Sequence, residues 1–168
     1  MDVTLGSGPD ATLDAEAREE WLARCEAVYA TAYRGLIAMG ATRDDAADAL
    51  QDAFEDALRL RKPVAHPDGW LFVVALRRWR RARWRRRIFR PLELIGEGIW
   101  SDRDEEIDLL TELGRLTERQ RTVIVARYVL GLSQREIAEL LGIAQGTVAA
   151  TVHQATALLR ERLLGGTN

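Results

Sequence analysis

The chain has 168 residues, 47% of them hydrophobic, and a net charge of −2 from 24 Lys+Arg against 26 Asp+Glu, which fits one large or two small folded domains and excludes a disordered tail protein. The near-neutral sum hides a segregation: residues 1–60 carry 5 basic and 13 acidic side chains, residues 61–100 carry 11 and 3, and residues 101–168 carry 8 and 10. Blocks of opposite sign predict one face for a polyanion and other faces for different partners or for each other.

Residues 1–13 contain Gly, Ser and Pro without periodicity and are expected to form a disordered tail. From Asp14, a candidate N-cap, Trp21, Val28, Ala32, Leu36 and Met39 fall at helical spacing, so a long amphipathic helix is predicted to end near Gly40. The single cysteine, Cys25, lies on this helix; with no second Cys and no Cys/His cluster it is expected as a buried structural thiol. Thr42 precedes a second helix with an acid-rich first turn and an apolar stripe of Ala46, Ala49, Leu50, Ala53, Phe54, Ala57 and Leu58. Its other face carries Asp45, Asp48, Asp52, Glu55 and Asp56, a single-sign surface that suits a basic protein partner, although solvated faces are the commoner origin of such patterns.

Lys62 to Gly69 reads as a loop from its two prolines and its Asp-Gly, with Asp68 as cap of a helix that starts at Gly69 or Trp70. That helix, WLFVVALRRWRRARWRRRIFR to Arg90, is apolar through Phe72, Ala75, Leu76 and Trp79 and then holds nine arginines from Arg77 to Arg90 with no acid among them. One end is expected in a core and the other on an anion. Arginine forks bind phosphate bidentately and tryptophans stack on unpaired bases, so nucleic acid is the natural anion. Residues 91–104, with two glycines and no sustained period, read as a linker between a unit at 14–90 and another at 105–168.

The second unit reads as four helices. Thr117 with Gln120, and Ser133 with Glu136, each make a capping box, and Gly131 and Gly142 suit helix C-termini. Ser133 to Leu159 has helix-turn-helix grammar, with Val148, Val152, Ala155 and Leu159 facing inward, and an ordinary helical hairpin supplies the same caps. With no strand signal, the fold class is all-α: two small helical domains joined by a flexible linker. No cationic start leads into an apolar core and no run of 18 apolar residues occurs, so no signal peptide or membrane span is expected and the protein is assigned to the cytoplasm.

The segment LTERQRTVIVARYVLGLSQREIAELLGIAQGTV resembles region 4 of the bacterial extracytoplasmic-function sigma factors; DDAADALQDAFEDAL resembles their core-polymerase-binding helix, and PDGWLFVVA the start of their −10-reading helix. The resemblance covers roughly residues 20–164 and implies a promoter-specificity subunit of RNA polymerase that directs transcription initiation. On that basis Asp48, Gln51, Asp52, Glu55 and Asp56 are candidate contacts to the β′ clamp. The loop from Arg61 to Asp68, with Lys62 and His66, stands where a flipped-out base is captured, at a cost in unstacking that a snug pocket offsets. Arg77, Trp79, Arg80, Arg81, Arg83 and Trp84 become candidates for the −10 region, arginines on the backbone and aromatics on bases. Gln134, Arg135, Gln145, Thr147, Ala150, His153 and Gln154 are the corresponding −35 candidates, and a cleft in the same domain would receive the polymerase β flap. Promoter DNA, core polymerase and an anti-sigma factor are the implied partners; neither a cofactor nor a metal is implied, and no membrane.

Two departures qualify the resemblance. The family's basic recognition helix is here Ala149, Ala150, Thr151, Val152, His153, Gln154, with no arginine between Arg135 and Arg160, so phosphate contacts that drive salt-dependent affinity are missing. Ala144 stands where the family has a capping Ser, which forgoes about 1 kcal/mol. In the basic helix an Arg-Asn pair and a following Asp are replaced by Leu76, Arg77 and Arg81. An alternative reading follows: a sigma-like mimic or interaction protein that binds an anti-sigma factor or polymerase without specific promoter recognition. An enzyme finds no support, since His66 and His153 lie far apart and no nucleophile motif or phosphate-cradling glycine loop occurs.

Overall fold

The computed structural model describes residues 15–60, 64, 66–89 and 104–165. Among these residues seven α-helices run in order: α1 (Ala15–Ala38), α2 (Arg43–Arg59), α3 (Pro67–Phe89), α4 (Asp104–Gly114), α5 (Glu118–Tyr128), α6 (Gln134–Leu141) and α7 (Gln145–Gly165). No strand occurs among the described residues, and the all-α class read from the sequence stands. The expected tail at 1–13 and the expected linker at 91–104 lie outside the described residues, except that Asp104 opens α4.

Helices α1 to α3 pack around one core, and local chemistry sets their ends. At the close of α1, Gly40 takes φ +95°, a left-handed conformation that glycine adopts without Cβ strain, and the Ala41 N–H donates to the Leu36 carbonyl at 3.0 Å. Thr42 Oγ1 then accepts from the Asp45 N–H at 3.2 Å and caps α2, whose Asp44 and Asp45 complement the helix dipole. The alanines at 46, 49, 53 and 57 are all buried and let α2 approach its neighbours closely. Leu58, expected on the same stripe, is exposed, because the residue after the buried Ala57 turns off the packed face. Leu36, Leu50, Leu71 and Phe72 are fully buried, each stabilising the fold by roughly 1.5–3 kcal/mol.

Helix α3 starts at Pro67, ahead of the predicted Gly69 or Trp70. Proline needs no N–H partner in a first turn, and the His66 carbonyl accepts from the Trp70 N–H at 2.8 Å, so Asp68 lies inside the first turn rather than capping it. The second unit follows its punctuation. Both predicted capping boxes form, Gly131 and Gly142 have φ +72° and +66°, and Val148, Val152, Ala155 and Leu159 are buried. In α5, Thr122 through Ala126 are all buried, and its Val123, Ile124 and Val125 enter three different apolar clusters.

The two units abut, α3 against α6 and α1 against α5. Val125 of α5 is fully buried within the core of the first unit, and Leu130, Leu140 and Leu141 pack on that core. A Cβ at Gly69 would stand 2.1 Å from Leu140 Cδ1, so a side chain there would have to displace the end of Leu140.

Candidate nucleic-acid interface

The described arginines of α3 differ in where the helix turns them. Arg78 and Arg86 turn toward α2. Arg78 donates from Nε and Nη2 to Asp56 Oδ2 at 3.0 and 2.5 Å, and Arg86 meets Asp45 at 2.7 Å. The hydrogen bonds that it donates to Asp56 hold the Arg78 guanidinium above its ordinary pKa, and Asp45 does the same for Arg86. Arg80 faces α5, where it pairs with Glu118 and donates to Thr122 Oγ1 at 2.9 Å; burial there lowers its pKa.

Arg77, Arg81 and Arg85 recur every four residues on the remaining face, exposed and without an ion pair among the described residues, beside Trp84 at 65% exposure. This strip has the composition expected of a backbone-and-base platform: cations spaced along a rigid rod and an open aromatic face. Besides Arg80, two sequence candidates sit elsewhere. Trp79 is 5% exposed in the core, which leaves no face for a base, and the exposed Arg83 lies over its ring with Cζ 5.5 Å from the centroid. Arg85 was not among the sequence candidates, although its spacing from Arg77 and Arg81 would have found it.

Of the loop candidates, Arg61 and Lys62 lie outside the described residues. His66 is described and is engaged by the second unit: Nε2 lies 2.8 Å from Glu139 Oε2 and Nδ1 3.4 Å from Glu136 Oε1. On α2, Asp48, Gln51, Asp52 and Glu55 are exposed, whereas Asp56 is half-buried and held by Arg78. The boundary between α2 and α3 is a groove of about 320 Å³ lined by Asp45, Asp48, Gln51, Asp52, Arg78 and Arg86 among others.

In the second unit, α6 and α7 form the helix-turn-helix. Gln134 is half-buried, and Arg135 is exposed but donates to Glu139 at 2.9 Å. Gln145, Ala150, His153 and Gln154 share an exposed, uncharged surface of α7, while Thr147 is half-buried. Ala144 accepts from the Thr147 and Val148 N–H groups through its carbonyl, with no side-chain cap. Arg121, which the sequence did not single out, donates to the carbonyls of Met39 at 3.1 Å, Gly114 at 2.5 Å and Leu116 at 3.3 Å, tying α5 to the ends of α1 and α4. Among the described residues no group of three or more His, Cys, Asp or Glu could hold a metal ion, and no helix is long and apolar enough to cross a membrane.

Comparison with known proteins agrees with this layout. The family model described as sigma-70, region 4 matches residues 106–159. RNA polymerase sigma factor SigV of Bacillus subtilis is 27% identical over 139 residues, 78% of this chain and 83% of its own length. An alignment of that length cannot fit within residues 106–168, so the likeness reaches back into the first unit. Across both units the chain is similar to sigma factors of the extracytoplasmic-function type. RNA polymerase sigma-E factor of Streptomyces coelicolor is 37% identical over 78 residues, 44% of each chain. Among solved structures, CnrH in complex with the cytosolic domain of CnrY superposes with a TM-score of 0.65 at 27% identity and covers 94% of both chains. The sigma factor RpoE of Bartonella quintana, in complex with the anti-sigma factor NepR, shares the fold with a TM-score of 0.62 at 24% identity, over 92% of this chain and all of that one. Sigma factors are regulatory subunits of transcription initiation, and the residues that match their region 4 fall on helices α4–α7.

Proposed function

We propose that this sigma factor docks on the β′ clamp of core polymerase through the exposed acids of α2, holds the −10 element and non-template strand with the outer strip of α3, and brings α6–α7 near the −35 element. The observation that carries the reading is the strip itself: Arg77, Arg81 and Arg85 exposed beside Trp84, on the helix next to an exposed acidic face. The arginines supply phosphate affinity and the indole a stacking surface, so the two sides of one bundle meet polymerase and DNA. An anti-sigma partner is supported by the RpoE–NepR complex, and the β flap by the region 4 match. Units at 14–90 and 105–168 would then be the two working domains, in the cytoplasm with the polymerase.

The uncharged surface of α7 favours a second reading, a mimic that binds polymerase or an anti-sigma factor without specific promoter recognition. Run-off transcription with purified core polymerase on a promoter library separates the two. The first reading expects specific initiation above background; polymerase binding with no initiation on any promoter selects the mimic. Gln154→Arg restores one cation to α7 and is expected to strengthen binding to −35-type duplex if this helix enters the groove.

A further inference from the structure

Helix α3 outruns the core that holds its first half. Leu71, Phe72, Ala75, Leu76 and Trp79 are buried in the core shared with α1 and α2, whereas from Arg80 to Arg86 no side chain is buried. At the rise of an α-helix, Trp79 to Arg86 is about 10 Å of rod that apolar packing does not fix sideways. Arg81, Trp84 and Arg85, the outer part of the exposed strip, stand on this stretch.

Two ion pairs to α2 grip it instead. Arg78, beside Trp79, donates from Nε and Nη2 to Asp56 in the last turns of α2, and Arg86 meets Asp45 in its first turn at 2.7 Å. Between the pairs the two helices part over the groove of about 320 Å³, whose floor includes Trp79 and Ala82. The neighbouring acids draw on the same arginines: after the bonded Asp56, Asp52 and Glu55 help to hold Arg78 above its ordinary pKa, and after Asp45, Asp48 does so for Arg86. On the opposite flank Arg80 meets Glu118 at the root of the stretch, which leaves its far end to Asp45.

Both pairs are partly exposed, and each contributes little to stability in water. The fold stands without them, because the alanines of α2 and the apolar half of α3 already hold the two helices together. What the pairs add is direction, since a tether at the end of a rod limits its swing far more than one at its root.

We propose that Arg86 and Arg78 are positioning residues: bound to Asp45 and Asp56, they fix the overhanging half of α3 against α2, so that polymerase seated on the acids of α2 presents Arg81, Trp84 and Arg85 to promoter DNA in one orientation. The proposal rests on the reading of α2 as the polymerase face and of α3 as the DNA helix. Neither arginine binds phosphate here; carboxylates take up their forks, and they carry alignment from one helix to the other.

Variants of the full chain test this with purified core polymerase. Arg78→Gln with Arg86→Gln is expected to keep its affinity for core polymerase and, as free protein, its slope of log K against log salt for single-stranded DNA. Run-off transcription from a promoter selected with the unaltered chain is expected to fall on the order of tenfold. Arg86→Glu alone sets two acids against each other and should lose run-off at least as much; adding Asp45→Arg rebuilds the pair with its charges exchanged and should recover most of it. A flattened salt slope would mean that these arginines touch phosphate, and undiminished run-off that alignment does not depend on them; either overturns the proposal. So does an exchanged pair that melts like the unaltered chain and still fails to recover run-off. No initiation by the unaltered chain on any promoter overturns the promoter reading and the positioning role with it.

Discussion

Cys25 illustrates how one side chain is set by its surroundings. It is fully buried with Trp21 and Ala57, under the edge-to-face pair of Trp21 and Trp70 whose ring centroids are 5.6 Å apart. Burial first, and the Asp68 carboxylate second, push its thiol up to about 11, with Arg24 pulling the other way. Thiolate is the reactive form, so Cys25 is inert in the folded protein. Iodoacetamide at neutral pH is expected to label it only as fast as the protein opens, and rapidly in denaturant; equal rates in both would contradict the burial. The sign of the stability effect follows from the proton. The unfolded thiol ionises near 9.0 and the folded one near 11, so its contribution is full below about 9 and is lost as pH rises through about 11.

Two helices lend themselves to predictions as elements. At the start of α7 the Ala144 side chain leaves the first N–H groups uncapped, and the residue is exposed, so Ala144→Ser adds an acceptor without a packing penalty. We expect about 1 kcal/mol of added stability and a rise in Tm of about 3 °C by calorimetry. On α3, Arg77, Arg81 and Arg85 changed together to Ala should leave the core alone, since all three are exposed. Affinity for single-stranded DNA should fall, and the slope of log K against log salt should flatten by up to about 2, because each phosphate contact contributes about 0.7. An unchanged slope would exclude phosphate contact by this strip. What the sequence disclosed about these elements was what short-range chemistry decides: the ends of α5 and α6 from Thr117, Gln120, Ser133 and Glu136, and the inner face of α7 from its apolar spacing. The start of α3 is not legible in the sequence, because Pro67 and Asp68 both favour a first turn and only the backbone bond from Trp70 to His66 decides between them. Which arginines remain free on α3 was hidden for a different reason. Arg78, Arg80 and Arg86 differ from Arg77, Arg81 and Arg85 only in facing acids on other helices, a matter of tertiary register.

At the scale of the whole molecule, α5 is the helix both units share, and its consecutive buried residues look in opposite directions. Val123 packs with Leu132, Ile137 and Val148 inside the second unit, whereas Val125 lies in the core of the first with Leu71, Phe72 and Leu36. Both are fully buried, so either valine cut to alanine removes two methyl groups and leaves a cavity, at a cost of about 2 kcal/mol. Val123→Ala loosens the helix-turn-helix alone, whereas Val125→Ala weakens the attachment of α5 to the first unit, the contact that turns Arg80 into Glu118. The strip of Arg77, Arg81 and Arg85 is exposed with that contact in place, so both substitutions should lower thermal stability with little change in single-stranded DNA affinity. Melting curves measured beside DNA titrations give both quantities for each variant. A gain in affinity confined to Val125→Ala would instead tie DNA binding to the shared core.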